Sequence, residues 1–479
     1  MNFATQVVDR FHPGRLALVE LARDGSRREW TFADITAASH ALAAELTRAG
    51  VSRGDVVMTL IGNRPEWVIT LVACWRAGFV ALPCNEQLRA KDLAERLTQA
   101  QPKAIVVDER NLRELQAAGP DASIVVLTAP FHGDLEPKAK IAAAELGPTD
   151  PALITFTSGT TGSAKGIVHG QRYLFGQALQ AEHWLGPRPG DLVWCTAASG
   201  WSKSARNSFI APWLAGAPAL LHDGRFDPQE RLEILARERV NVLCMAPTEY
   251  RVIAKRATLR RLPDLHSLVA AGEALNPEVL RAWHETTGLT VRDGYGQTET
   301  GQLTANIDGV PGSMGKPLPG VALEVDDGEL VLTRPVSDPT FFVGYLDGTP
   351  APVNQPWRTG DRVRQNQDGY LFFEGRADDV IISSGYRIGP FEVESALVSH
   401  PAVAEAAAVA APDAERGAVV RAVVVLRDGH APSETLASEL QDHVKGQTAP
   451  YKYPRIVEFA TDLPKTTSGK VQRALLRSR

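Results

Sequence analysis

The chain has 479 residues, of which 44% are hydrophobic and 22% are charged, and its formal net charge at pH 7 is −5. This length allows two or more domains with well-filled cores, and the composition is that of an ordinary soluble globular protein. The slight acidic excess argues against a dedicated nucleic-acid-binding protein, so we expect no nucleic-acid partner.

Through about residue 300, short β-branched runs alternate with amphipathic helical stretches. "DVVMTLIG" precedes the helical "NRPEWVITLVACWRAG", and "KAIVVD" follows the helical "KDLAERLTQA". This alternation predicts layered α/β subdomains with mostly parallel sheets. The longest apolar stretch, "WVITLVACWRAGFVALP", contains Arg76 and Gly78 and therefore predicts a buried helix followed by a strand, not a membrane span. The start "MNFATQVVDRF" lacks a basic segment followed by an apolar run, so no signal peptide is predicted.

Five apolar strands in this region are each followed directly by a small or polar loop. "ALITF" precedes "TSGTTG", "DLVWC" precedes "TAASGWSKS", "NVLCM" precedes "APTEY", "SLVAA" precedes "GEALNPE", and "LTVRD" precedes "GYGQTE". In a parallel sheet such loops share the carboxyl edge, where open α/β sheets bind ligands. The pattern predicts one ligand site built from the five loops.

Beyond about Val310, glycine, proline and aspartate become frequent. Alternating runs such as "ALEVDDGELVLTRP" and "GYLFFEG" predict an antiparallel, β-barrel-like segment. After "GRADD", a helix, two strands, a helix and a last strand predict a small α+β domain of ordinary size. We expect the large amino-terminal domain to span residues 1–375, the junction to lie at 376–378, and the small domain to span 379–479.

The four cysteines, Cys74, Cys84, Cys195 and Cys244, are far apart and form no C-x-x-C pair. They are predicted to be buried free thiols in a reducing compartment, which favours a cytoplasmic location. Their spacing gives no indication of a structural zinc site.

Residues 157–166, "TSGTTGSAKG", contain three glycines, five hydroxyl side chains and one lysine directly after a predicted strand. Glycines let main-chain N–H groups approach a ligand, hydroxyls add short donors, and the lysine adds a positive charge, so the loop suits a polyphosphate. It is not a Walker A loop, because Ala164 precedes Lys165 and Gly166 follows it.

This loop resembles the phosphate-binding signature of the adenylate-forming superfamily, which includes acyl-CoA synthetases, aryl-CoA ligases, luciferases and peptide-synthetase adenylation domains. The resemblance covers nearly the whole chain, in order, through "TFTSGTTGSAKG", "GWSKS", "AGEALNPE", "DGYGQTETG", "WRTGD", "GRADDVIISSGYRIGP" and "PKTTSGK". Within the superfamily the chain most resembles medium-chain acyl-CoA synthetases. Ala164 departs from the pattern, where many members have proline, and implies a less preorganised loop.

The resemblance implies that Glu299 holds Mg²⁺ together with phosphate oxygens and that Thr298 contacts the α-phosphate. Asp361 is implied to accept hydrogen bonds from the ribose hydroxyls, and Arg376 to lie near ribose or phosphate. The full set implied in ATP or AMP binding is Thr157, Ser158, Gly159, Thr160, Thr161, Gly162, Lys165, Gly272, Glu273, Asp293, Gly294, Tyr295, Gly296, Gln297, Thr298, Asp361, Arg376 and Arg387.

Lys470 of "PKTTSGK" matches the family's catalytic lysine, which bridges the substrate carboxylate and the α-phosphate. A cation at that point stabilises the charge that develops when a carboxylate attacks the α-phosphorus. The family's small domain swings after adenylation about a hinge residue, here Asp378. This motion brings the CoA-binding segment Ser384, Gly385 and Tyr386 to the acyl-adenylate, and Gly385 leaves room for the pantetheine arm.

Two residues are implied in the acyl pocket, Trp201 and Gly296. Acetate-specific relatives have tryptophan at the position of Gly296, so glycine there predicts a deep apolar slot for acids larger than acetate. The "TAASGWSKS" loop lacks the aspartate that pairs with an amino group in amino-acid-activating relatives, so amino acids are not expected as substrates.

The expected function is an ATP-dependent ligase that joins a medium-chain or aromatic carboxylate to CoA through an acyl-AMP intermediate, using Mg²⁺. Two alternatives remain open at this point. One is an enzyme that loads the acyl group onto a separate carrier protein, and the other is a catalytically silent nucleotide- or acyl-binding relative. The sequence does not indicate an oligomeric state.

Overall fold

The residues that the structure describes form two seven-stranded sheets, a four-stranded antiparallel sheet, a three-stranded carboxyl-terminal sheet and three two-stranded ribbons. The structure is a computed structural model that describes residues 1–130, 140–158, 164–272, 275, 277–377, 379–384, 386–413, 415–465 and 471–477.

The helices, in chain order, are α1 Phe3–Gln6, α2 Phe32–Arg48, α3 Pro65–Ala77, α4 Ala90–Ala100, α5 Leu112–Ala117, α6 Gln171–Gln180, α7 Ser202–Ala205, α8 Ala211–Leu214, α9 Pro228–Arg237, α10 Pro247–Arg256, α11 Pro277–Thr287, α12 Pro390–Ser399, α13 Glu434–Gln447 and α14 Arg473–Arg477. Single π-helical turns at Ala181–Leu185 and Arg206–Ile210 continue α6 and join α7 to α8.

The strands are β1 Leu16–Leu21, β2 Arg27–Thr31, β3 Val56–Leu60, β4 Val80–Cys84, β5 Ala104–Asp108, β6 Val125–Ala129, β7 Pro151–Ser158, β8 Ala164–Gly170, β9 Val193–Cys195, β10 Ala219–His222, β11 Val242–Met245, β12 Ser267–Ala271, β13 Val291–Gly294, β14 Gly296–Gln297, β15 Gly301–Gln302, β16 Thr304–Ala305, β17 Lys316–Pro317, β18 Leu323–Asp326, β19 Glu329–Leu332, β20 Gly344–Tyr345, β21 Trp357–Gln365, β22 Leu371–Arg376, β23 Ile381–Ser383, β24 Tyr386–Ile388, β25 Val403–Asp413, β26 Gly417–Leu426 and β27 Ile456–Ala460.

The first large sheet, sheet A, has the strand order β13-β12-β11-β9-β10-β1-β2 and is parallel except for the β1–β2 pair. The second, sheet B, has the order β20-β8-β7-β4-β3-β5-β6, and its pairs from β7 through β6 are parallel. The predicted layered α/β architecture with mostly parallel sheets is therefore confirmed.

Helix α3 lies in the core that the two sheets share. Pro65 occupies its first turn and Gly78 ends it in the left-handed conformation, while every residue from Pro65 to Arg76 is buried. The same apolar cluster contains Val57 and Ala81 of sheet B and Leu18 and Leu221 of sheet A. A helix covered on all sides needs an apolar surface all round, which accounts for its mostly hydrophobic sequence. No helix in the described parts of the chain is long and apolar enough to cross a membrane.

The segment predicted to be barrel-like is an open antiparallel sheet of four strands in the order β18-β19-β21-β22. Four short strands are too few to close on themselves, because small barrels need about eight. Beyond it, β25, β26 and β27 form the sheet of the small domain, against which α12 packs, as the α+β prediction requires. The predicted junction at 376–378 lies between β22 and β23. All four cysteines are free and buried, as predicted.

Gly200 fixes how the loop after β9 in sheet A meets the end of β4 in sheet B. Its φ is +89°, and a Cβ atom there would lie 2.2 Å from the main-chain nitrogen of Asn85. A side chain at this position would therefore combine left-handed strain with a collision against backbone.

We predict that Gly200→Ala lowers the free energy of unfolding by about 3 kcal/mol, the sum of left-handed strain and a forced backbone shift. The matched control is Gly190→Ala, because Gly190 has φ +93° and open space around the Cβ position. That variant should lose only about 1 kcal/mol. Urea denaturation of both variants measures the difference, and equal losses would contradict the close contact between the sheets.

Candidate active site

The carboxyl ends of β9, β11, β12 and β13 meet at one edge of sheet A, because these four strands are neighbours and parallel. Four of the five loops predicted to share an edge therefore do so. The prediction is wrong for the loop after β7, because strand β7 belongs to sheet B and pairs with β4 and β8. Apolar strand sequences do not say which of two sheets a strand joins, and the strand before the fifth loop lies in the other sheet.

A buried carboxylate network centred on Asp361 lies beside this edge. Asp361 is 4% exposed and accepts hydrogen bonds from the Tyr295 hydroxyl and, at 3.0 Å, from Gln297 Nε2. Arg376 Nη1 lies 3.2 Å from its other oxygen. Burial raises the pKa of Asp361, while the positive charge of Arg376 and these hydrogen bonds counteract the increase. The structure thus brings four predicted site residues into direct contact.

Trp357 and Thr359 hold Gln297 in place and were not predicted as site residues. The Trp357 indole N–H donates to Gln297 Oε1 at 3.0 Å, and Gln297 Nε2 donates to the Thr359 carbonyl at 2.7 Å. Both residues belong to the "WRTGD" motif, so the motif itself carried the signal. The amide of Gln297 is therefore fixed at both ends.

Glu299 lies close to two cations and to Asp361. Burial raises its pKa, the charges of Arg376 and Lys165 lower it, and Asp361 raises it. The Phe342 amide donates to the Glu299 carbonyl at 2.8 Å, which fixes the backbone of the loop. Lys165 itself is exposed on β8, with its Nζ 6.0 Å from the centre of the Tyr345 ring. A carboxylate between two cations can face polyphosphate without a net repulsive charge.

Asp293 stands at the end of β13 and accepts a hydrogen bond from the Gly294 amide at 2.8 Å. Burial raises the pKa of Asp293 to about 8. The adjacent Gly294 has no room for a side chain, since a Cβ atom would lie 2.1 Å from Gln302 Nε2.

Lys203, a residue of the "GWSKS" motif that was not singled out, connects two of the loops. Its Nζ donates to the Ala271 carbonyl at 3.1 Å and lies 3.4 Å from the Cβ position of Gly272, whose φ is +107°. Trp201, directly before α7, lines a small crevice with Phe156 and Gly200. The structure therefore places Trp201 and Gly272 near the same end of sheet A.

The structure explains why residue 296 is a glycine. A Cβ atom there would lie 1.8 Å from the Gly301 carbonyl oxygen, because β14 and β15 pair closely. No side chain fits without a backbone shift, so the residue type alone does not indicate an acyl slot. Its place in the acyl pocket stays a prediction.

In the small domain, Ser384 and Tyr386 flank the predicted CoA-binding glycine. Ser384 has φ +48°, and the exposed Tyr386 ring stacks on Tyr451 with centroids 4.3 Å apart.

Several predicted site residues lie outside the described residues, namely Gly159, Thr160, Thr161, Gly162, Glu273, Asp378, Gly385 and Lys470, and the side chains of Ser158 and Arg387 are likewise not described. Thr157, at the end of β7, pairs with Lys165 across the sheet, and Thr298 follows β14.

Family models match the two parts of the chain in the order that the sequence motifs predict. A model described as AMP-binding enzyme matches residues 4–336, and one described as AMP-binding enzyme C-terminal domain matches residues 392–470. The chain belongs to the AMP-binding enzyme family. The predicted resemblance to adenylate-forming enzymes is therefore confirmed.

Relatives along the whole length agree with this membership. The mitochondrial acyl-coenzyme A synthetase ACSM4 of Mus musculus is 40% identical over 99% of this chain and 90% of its own length. The acyl–CoA ligase YtcI of Bacillus subtilis, which is uncharacterized, is 39% identical over 97% of this chain and 93% of its own length. The crystal structure of the anthranilate CoA ligase AuaEII in complex with anthranoyl-AMP superposes with a TM-score of 0.88, at 29% identity, over 100% of this chain and 97% of that one.

The residues around Glu299 fit a magnesium ion that is carried by ATP phosphates. Mg²⁺ in such sites takes one or two carboxylates, and substrate phosphates and water supply the other oxygens. Within the described ranges no three histidine, cysteine or acidic side chains are grouped so as to hold a metal by themselves. Glu299 is thus a suitable single protein ligand.

The raised pKa of Asp293 should make the stability of the protein depend on pH. A carboxyl group with a folded pKa of about 8 contributes stability that is fully present below its unfolded pKa of 3.8 and is lost as the pH rises to about 8. Asp293→Asn does not ionise, so the variant should become more stable than the wild type by at least about 1 kcal/mol between pH 5 and pH 8.5, the free energy of a one-unit shift.

Thermal unfolding at several pH values measures this gain. The control is Asp347→Asn, since hydrogen bonds from the amide and hydroxyl of Thr349 lower the pKa of that exposed carboxyl. It should show no gain at high pH. A gain of Asp293→Asn that is constant across the pH range would contradict a neutral Asp293.

Proposed function

We propose that the chain is an ATP-dependent acid–CoA ligase that works through an acyl-AMP intermediate. The observation that carries the proposal is the buried Asp361 network next to Glu299, which gathers two carboxylates and Arg376 at the carboxyl edge of sheet A. Family membership supports the enzyme class, an acid–thiol ligase.

ATP is bound across the loops that the structure brings together. Asp361 receives the ribose hydroxyls, since its two oxygens can accept from two O–H donors. Tyr295, Asp293 and Gly294 flank the adenine with Gly272 and Glu273, Thr298 contacts the α-phosphate, and the loop from Thr157 to Lys165 holds the β- and γ-phosphates. Mg²⁺, held by Glu299, supplies neutralising charge to the phosphates when it is bound.

In the first half-reaction an oxygen of the substrate carboxylate forms a bond to the α-phosphorus, and the bond to the bridging oxygen of pyrophosphate breaks. Negative charge grows on the equatorial oxygens, and we assign its neutralisation to Lys470. In the second half-reaction, the CoA sulfur attacks the acyl carbonyl carbon. AMP leaves with the carboxylate oxygen, and the thiol proton goes to solvent.

The second half-reaction uses a different face of the small domain. The domain turns at Asp378, and Ser384, Gly385, Tyr386 and Arg387 approach the acyl-adenylate. Asp379 lies 3.1 Å from Arg477 and 3.7 Å from Arg473 of α14, so the chain after Lys470 is tied to the first residues of the small domain. Helix α14 therefore moves together with the first described residue after the junction.

The acyl substrate is a carboxylic acid larger than acetate, of the medium-chain or aromatic kind. The similar structure of AuaEII is named for anthranilate, an aromatic acid. Trp201 forms one wall of the pocket and Gly296 lies at its base. We place the enzyme in the cytoplasm, because four buried free thiols fit a reducing compartment.

The reaction is tested by oxygen transfer. When the acid carries ¹⁸O in its carboxylate, one labelled oxygen should appear in AMP and pyrophosphate should stay unlabelled, because the carboxylate oxygen remains on phosphorus after CoA attacks. Mass spectrometry of the products measures this. Unlabelled AMP, or release of ADP and phosphate, would refute the acyl-AMP route.

We predict that Lys470→Ala slows acyl-AMP formation by about a hundredfold or more, the usual effect of losing a transition-state contact. Thioester formation from supplied acyl-AMP should be largely retained, because Lys470 has left the site by then. Pyrophosphate release and thioester formation are measured separately.

The matched control is Lys465→Ala. Lys465 is five residues away and pairs with Glu405 at 2.6 Å, so its loss should leave both half-reactions near the wild-type rates. Equal loss of both half-reactions in Lys470→Ala would contradict the role of Lys470 in adenylation alone.

A further inference from the structure

The interior between α6 and the π turn Arg206–Ile210 is polar. The side chains of His169, Tyr173, Gln180, Arg206 and Asn207, which we call the Arg206 cluster, are all buried. Gln180 Nε2 donates to Asn207 Oδ1 at 2.9 Å, and the ring of His169 lies 3.9 Å from that of Tyr173. Unpaired buried atoms are frequent here and include both ring nitrogens of His169, Asn207 Nδ2 and Arg206 Nε.

Arg206 has no carboxylate partner within the described parts of the chain, and only 5% of the residue is exposed. Its polar contact is with the Tyr173 hydroxyl. A guanidinium offers five N–H donors, and burying its charge without an anion costs several kcal/mol. Buried arginines are therefore paired, bound to a ligand, or both.

None of the neighbouring groups neutralises this charge. Burial and the nearby Arg206 lower the pKa of His169 to about 3, so its imidazole is neutral and supplies no negative charge. Burial raises the pKa of Tyr173, so its phenol is neutral as well. Among the described residues, the positive charge of Arg206 thus has no negative counterpart, which leaves it available to an anionic ligand.

Arg206 lies between the two large sheets. Its charge acts on His169 of β8 in sheet B, which lies near the main chain of Thr298 without a hydrogen bond from its ring nitrogens. The charge of Arg206 also acts on Cys244, which is on β11 of sheet A. A group that extends from the α-phosphate position past Thr298 into the protein therefore meets the Arg206 cluster.

We propose that the acyl substrate carries a second anionic group, a carboxylate at the end distal to the reacting one, and that Arg206 binds it. A carboxylate accepts two parallel N–H bonds from a guanidinium, and Asn207 Nδ2 is a further donor beside it. This inference rests on the proposed function and narrows its substrate class. A purely apolar acyl chain would leave the donors of Arg206 without acceptors.

The test compares straight-chain dicarboxylates of four to eight carbons with their monomethyl esters, which keep the length and remove the distal charge. With the wild-type enzyme, ATP and CoA, we expect kcat/KM for the best diacid to exceed that of its monoester by about a hundredfold, since sites built to hydrogen-bond a group reject analogues that lack it. A ratio near or below one overturns the inference, whatever the variants do.

Arg206→Met should reverse the preference, because the monoester then meets an apolar side chain while the diacid loses its counter-ion. Arg206→Lys should keep part of the preference, which also protects the test if the methionine variant folds poorly. Arg172→Gln is the matched control, since Arg172 lies on the neighbouring helix α6 but donates to the main-chain carbonyls of Val336 and Phe341. Its diacid-to-ester ratio should equal that of the wild type.

Hexanoate and benzoate separate the two proposals. If the enzyme ligates these monoacids and a distal carboxylate gives no increase in kcat/KM, this inference is refuted and the proposed function stands. If no acid of either kind releases pyrophosphate, the proposed function fails, and this inference fails with it. A loss of the same size for diacid and ester in Arg206→Met would show a structural role for Arg206 and would also refute the inference.

Discussion

The buried carboxylate of Asp361 joins parts of the chain that are far apart in sequence. Through Tyr295 and Gln297 it holds the loop that follows β13 of sheet A, and through Arg376 it holds the end of β22 in the antiparallel sheet. Asp361 and Arg376 are register partners in that sheet, so their contact follows from strand pairing. A buried carboxylate is stable only when such donors surround it. The loop that carries Thr298 and Glu299 therefore keeps its shape as long as this ion pair persists.

The site has two electrostatic halves. On the phosphate side, Glu299 is placed between Lys165 and Arg376, and the charges nearly compensate each other. Arg206, by contrast, stands among neutral polar groups. In the proposed function a carboxylic acid enters between these halves, so the first would favour transfer of the adenylyl group in general and the second would discriminate among acids. Reaction type and acid selection are thereby assigned to different residues.

Much of the fold follows from sequence patterns, because the patterns have local causes. The apolar run of α3 predicts a helix buried on all sides, and the strand–loop pairs predict the edge of sheet A correctly for four strands. The assignment of β7 to sheet B depends on long-range pairing, which no local pattern reports. The motif residues Tyr295, Gln297, Asp361 and Arg376 were predicted and do meet.

The acyl side of the site was harder to predict. Gly296 has a close backbone contact that its sequence context does not reveal. Arg206 stands two residues after "GWSKS", at the start of the π turn, and its lack of a counter-ion among the described residues appears only when α6, β8 and β11 are packed around it. Burial of charge is a tertiary property, so composition and spacing cannot report it.

The π turn at Arg206–Ile210 gives this helix one residue more per turn than a regular α-helix. Deleting one residue there would convert the wide turn into a regular α-helical turn, so the flanking helical segments could keep their places. Trp213, which is fully buried and donates to the Ala17 carbonyl at 3.1 Å, ties α8 to sheet A and fixes the segment after the turn. The change would then be confined to the residues of the turn, where Arg206 is. In the proposed function, a one-residue deletion in this turn would therefore change which side chain faces the acid without any substitution.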